Sequence, residues 1–158
     1  MNPWIIVAIA VTVVIFIIMA LRDKKLASEG KIIKRSGDFV EKAEDFILDL
    51  SDPGIVVEKV RALSYNEIKS SVQIEGNGQS FLFTGANWSA RLYRKGDNDG
   101  KAVYSFQYLN WKEDRGIIQY ALHMNMLLTS IEKMFLSIDP NTQVKTRMLE
   151  VTTKHKFF

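Results

Sequence analysis

No cysteine occurs in the 158 residues, which excludes a disulfide scaffold, thiol catalysis, a thiolate metal site and a lipidated cysteine. Histidine is almost as scarce: His123 and His155 are the only two, so at most a two-histidine zinc site is open. Three prolines and nine glycines are scattered, and no internal repeat or low-complexity tract is present. Charge of either sign is in small excess only, 21 basic against 18 acidic side chains. That balance gives little support to nucleic-acid binding.

What the chain does have is concentrated at its front. Of the 18 residues from Trp4 to Leu21, 17 are apolar and the other is Thr12. At 1.5 Å per residue a helix of this length spans about 27 Å, close to the hydrocarbon thickness of a bilayer. Its β-branched residues favour strand in water, but a lone segment in lipid must close its hydrogen bonds within itself, as a helix. Pro3 suits the first turn and Trp4 an interfacial ring. A cleaved signal peptide fits poorly. Nothing basic precedes Trp4, and Ile18 would stand three residues before a cut after Ala20. The expected anchor is therefore retained, with Trp4, Ile5, Ile9, Val13, Phe16 and Leu21 in contact with lipid, and Ala8, Ala10 and Thr12 offer small residues for helix association.

Orientation is expected from the flank. Arg22, Lys24, Lys25, Lys31, Lys34 and Arg35 stand against only Asp23 and Glu29, so the positive-inside rule places the domain beyond them in the cytoplasm, with these six facing anionic headgroups. Asn87-Trp88-Ser89 matches a glycosylation sequon, which a cytoplasmic domain would not use.

The expected organisation is a short outside N-terminus at 1–3, a transmembrane helix at 4–21, a basic linker at 22–35, a cytoplasmic α+β domain at 36–153 and a tail at 154–158. Within the domain, Phe39, Ala43, Phe46 and Leu50 recur at three- and four-residue steps, predicting an amphipathic helix over 36–52 with Ser36 as N-cap and an acidic outer face. Residues 55–63 fit either a strand or a short helix beginning at Pro53 with Asp52 as cap, and the helix is preferred. From Ile68 the period becomes two. Strands over Ile68–Glu75, 80–84, 88–93 and Val103–Trp111 are separated by Gly76-Asn77-Gly78, by Gly85-Ala86-Asn87 and by the run Gly96 to Gly100. Such an antiparallel meander leaves one face for helices to cover. The apolar stripe of Ile117, Ala121, Met124, Leu128, Ile131 and Phe135 predicts the covering helix over Ile117–Leu136, and Val144–Thr153 is a last strand.

Catalytic templates fit badly. His123 falls on the wetter side of its helix with no acid at three- or four-residue spacing, and His155 lies near the chain's end. Ser130 and Lys133 have the spacing of some acylating enzymes without the accompanying motifs. Gly76-Asn77-Gly78 lacks the lysine and helix of a phosphate cradle, and Asp97 with Asp99 is too short a loop for calcium. Tyr104, Phe106 and Tyr108 on one strand face, beside Arg91, Arg94, Lys95 and Lys101, could stack single-stranded nucleic acid. Because Val103, Ser105, Gln107 and Leu109 are more polar, the rings are better read as core. The sequence thus points to a membrane-anchored, non-catalytic binding or scaffolding protein. Its partners would be the lipid bilayer and another membrane or membrane-proximal protein, with no cofactor, metal or nucleic acid. The second reading is a hydrophobic-ligand or lipid pocket between sheet and helix, lined by Phe81, Phe83, Tyr104, Phe106, Leu128 and Phe135. A hydrolase using His123 or Ser130 comes third.

Overall fold

The computed structural model describes residues 3–49 and 52–149, and divides into two compact units, 1–34 and 35–158. The first is a single helix, α1 (Pro3–Ser28), which continues seven residues past Leu21 and carries Arg22, Lys24 and Lys25 on its last turns. Thr12, its one hydroxyl in the apolar run, donates to the Ala8 carbonyl at 2.8 Å. Gly30 ends the helix at φ 67°, with Gly30 N–H donating to Ala27 O and Lys31 N–H to Leu26 O. That pairing is a Schellman motif, which a residue with a Cβ would strain.

The second unit contains a six-stranded, wholly antiparallel sheet. Its strands are β1 (Lys42–Leu48), β2 (Ser71–Glu75), β3 (Ser80–Thr84), β4 (Trp88–Asn98), β5 (Lys101–Trp111) and β8 (Gln143–Met148), in the spatial order β2-β3-β4-β5-β1-β8. The four-strand meander matches the alternation in the sequence. The β4–β5 turn is the two-residue Asp99-Gly100, both at positive φ, as a primed hairpin turn requires. Asp97 and Asn98, expected in the turn, belong instead to β4.

The helix expected over 36–52 is not formed. A single 3-10 turn at Phe39–Glu41 leads into β1, which inserts between β5 and β8, while residues 50 and 51 lie outside the described residues. The physical reason is a period of two hidden by charge: Glu44, Phe46 and Leu48 all point to the covered face, and Glu44 breaks the hydrophobic alternation that would mark a strand. The preferred short helix does form, as α2 (Gly54–Arg61), with the Asp52 carboxylate accepting Gly54 N–H at 2.8 Å. Ile68 ends a one-turn helix, α3 (Tyr65–Ile68), rather than opening a strand, because Lys69 adopts a left-handed conformation that stops it.

The covering helix, α4 (Ala121–Ile138), starts four residues later than its stripe suggests. Ile117-Ile118 forms β7 and pairs with β6 (Glu113–Asp114) across the positive-φ turn Arg115-Gly116, leaving Ile117 71% exposed. Met124, Leu127, Leu128, Ile131 and Phe135 of α4 are buried against the sheet. Phe135 stacks on Phe46 at 4.6 Å and tilts against Tyr104 at 5.3 Å, which fixes the helix over the centre of the β5–β1 pair. The last strand ends at Met148, and the predicted remainder, 150–153, lies outside the described residues, as does the tail.

Candidate functional site

Alternation along β1 puts Glu44 on the same inward face as Phe46 and Leu48, where an unpaired charge would be costly. Its partners come from two other segments. On α4, Asn125, Thr129 and Glu132 fall at i, i+4 and i+7, a polar stripe beside the apolar one. From the first residue of the folded unit, Arg35 reaches in and forks. Nη1 donates to Glu44 Oε1 at 3.0 Å, Nη2 to Glu132 Oε2 at 2.6 Å, and Nε to Asn125 Oδ1 at 3.1 Å. Thr129 Oγ1 donates to the same Asn125 oxygen at 3.1 Å. All three charged side chains are about nine-tenths buried, at 11%, 9% and 13% exposure.

One guanidinium therefore faces two carboxyl groups. Burial pushes the Glu44 pKa up, and the adjacent Glu132 carboxyl and its negative charge push it further, against the pull of Arg35, to about 7. Beside them the Tyr108 hydroxyl donates to Met124 O at 2.6 Å, and burial drives its pKa up as well. The sequence places Arg35 among the headgroup-facing cations. The structure corrects this, because its guanidinium is engaged inside the domain. Of the remaining flank, Lys25 and Lys31 lie 3.9 and 3.4 Å from Glu29.

The opposite face of the same strand carries a second cluster with the reverse balance. Asp45 accepts from Ser105 Oγ at 2.6 Å, Lys95 Nζ at 3.2 Å and Arg147 Nε at 3.4 Å. Burial alone would raise its pKa, but the Ser105 hydroxyl, Lys95 and Arg147 together hold it below the usual aspartate range.

The six residues predicted to line a pocket are all buried. Phe81, Phe83, Tyr104, Phe106, Leu128 and Phe135 are 0–2% exposed, with Phe83 and Phe106 rings 6.2 Å apart. Tyr104, Phe106 and Tyr108 form core, as the polarity comparison indicates, and the cations beside them are ion-paired: Arg94 with Asp97, Arg91 with Glu75, Lys95 with Asp45 and Lys101 with Asp49. Ser130 donates to Met126 O at 2.8 Å while Lys133 is exposed, so the two do not meet as nucleophile and base. His123 is half-buried against Tyr120, and His155 lies outside the described residues. Among the described residues no three His, Cys, Asp or Glu side chains gather as metal ligands. A shallow polar cleft of about 420 Å³ lies at α3, lined by Tyr65, Asn66, Lys69, Ser70, Ser71 and Thr84.

Sequence reasoning missed the Arg35 cluster. The polar stripe on α4 was the one visible signal of it. No protein-family model, curated protein or solved structure matches this chain.

Proposed function

We propose that this protein is a single-pass, membrane-anchored binding or scaffolding module whose α+β domain lies on the cytoplasmic side and performs no catalysis. The observation that carries the reading is α1. The segment Trp4–Ser28 is long and apolar enough to cross a bilayer, and its large apolar side chains from Trp4 to Leu21 are at least half exposed, whereas α4 turns its apolar stripe inward. A segment apolar on every side needs an apolar solvent around it, and lipid supplies one. The cations Arg22, Lys24 and Lys25 at its C-terminal end support the inward orientation. Anchoring confines the domain to a thin layer beside the bilayer, raising its effective concentration toward other membrane proteins without any new contact.

The absence of cysteine makes the test direct. Asn98→Cys places a unique thiol on the exposed β4–β5 hairpin. In intact cells expressing the full chain, a membrane-impermeant maleimide should leave this thiol unlabelled until the membrane is permeabilised, and the protein should sediment with membranes after a high-salt wash. Labelling of intact cells would overturn the orientation, and recovery of the full chain in the soluble fraction would overturn the anchor.

A further inference from the structure

The Arg35 cluster is short of one positive charge. With Glu44 and Glu132 both ionised, the enclosed group carries a net negative charge, and Glu44 Oε2 is buried without a hydrogen-bond partner among the described residues. A buried carboxylate oxygen with no donor is a costly arrangement. Among the described residues the surroundings supply no second cation. Arg35 comes from the lead-in segment, residues 35–38, ahead of the 3-10 turn; Glu132, Asn125 and Thr129 come from α4; Tyr108 comes from β5, its hydroxyl already committed to Met124 O. The register neighbours of Glu44 across the sheet are Phe106 on β5 and Thr146 on β8, neither of them charged. One added proton resolves the imbalance, because it converts the repulsion between two carboxylates into a hydrogen bond between a carboxyl and a carboxylate.

We propose that the folded domain holds one proton between Glu44 and Glu132, and that loss of this proton loosens the tie by which Arg35 fastens the lead-in segment to β1 and α4. The cluster is then a proton-sensitive latch at the first residue of the folded unit. The raised pKa of Glu44, about 7 against an ordinary 4.5, agrees in direction. A group whose pKa is higher in the folded than in the unfolded chain favours folding fully below pH 4.5, and that contribution fades as pH rises and is gone above about 7. The latch is thus firm in mildly acidic surroundings and slack in alkaline ones. This holds independently of whether α1 spans a membrane.

The experiment uses the full chain in lipid nanodiscs with carboxyl-labelled glutamate. Carbon-13 spectra between pH 3.5 and 9 should show one glutamate carboxyl titrating near neutrality, absent from Glu44→Gln. Amide exchange over residues 35–38, corrected for the intrinsic effect of pH, should accelerate about tenfold from pH 6 to pH 8 in the natural chain and stay level in Glu44→Gln. Should Glu44→Gln fail to fold, Glu132→Gln serves the same purpose, and the titration of the natural chain decides alone. The proposal falls if every glutamate carboxyl titrates between pH 3.5 and 5. It falls equally if the corrected exchange rates at 35–38 are the same at pH 6 and 8.

Discussion

Glu44 and Asp45 are adjacent residues of one strand, carry the same functional group, and are driven in opposite directions. Glu44 shares a single guanidinium with a second acid and is buried at the sheet–helix interface, so its pKa rises. Asp45, on the other face of the sheet, has two cations and a hydroxyl to itself, so its pKa falls. The difference lies in counting, not in chemistry: two acids per base on one side of the sheet, two bases per acid on the other. A strand can therefore carry two sites of opposite proton affinity one residue apart, because successive side chains never share an environment.

The largest expected effect breaks the inner site alone. Arg35→Ala removes the only cation that the described residues set against Glu44 and Glu132, and should cost about 3–5 kcal/mol of unfolding free energy at pH 8, measured by urea titration of the buried Trp88 fluorescence. A loss under about 1 kcal/mol would show that water already compensates those carboxylates.

Next in size is the pH response, where the two neighbours should separate. From pH 5 to pH 8 the natural chain should lose about 2 kcal/mol through Glu44, allowing for solvent at the edge of the cluster, and Glu44→Gln should lose none of it. Asp45 behaves in reverse. Its lowered pKa means a contribution present above the ordinary aspartate range and lost as pH falls through its folded value, so Asp45→Asn should flatten the acid limb between pH 5 and 3 and leave the alkaline limb intact. Identical profiles for the two variants would abolish the distinction. The smallest effect belongs to Arg147→Ala. Its side chain is 39% exposed and Lys95 still neutralises Asp45, so the loss should stay below about 1 kcal/mol.

Much of the fold was legible from local pattern. Tyr104, Phe106 and Tyr108 share one buried face of β5 as their alternation predicts, Asp99-Gly100 turns as those residue types favour, and α4 buries most of the stripe read for it, Met124, Leu128, Ile131 and Phe135. Two elements were obscured by side chains whose burial depends on distant partners. Glu44 in an inward position made β1 look like an acidic helix, and the cation set against it, Arg35, stands on a separate segment nine residues away with nothing in the local pattern to announce the pairing. Ile117 continued the spacing of α4 yet lies in a hairpin, because Gly116 and Tyr120 adopt positive φ and interrupt the helix before it can begin. Arg35 itself was indistinguishable from the five basic residues before it, since a charge count along the chain does not reveal which cation the fold will enclose. The aromatic core, by contrast, was read correctly from relative polarity along β5.

The position of β1 also bears on how the protein is made. Among the described residues it is the first strand along the chain, yet its two neighbours span residues 101–111 and 143–148. The meander can zip up while translation proceeds, since each of its strands meets a partner only a few residues away. Phe46 and Leu48 must wait uncovered until residues 101–148 have been made, and β1 then slots between the formed edge β5 and the strand β8. Closure of the sheet therefore follows the synthesis of residues 143–148, long after β1 itself has been made.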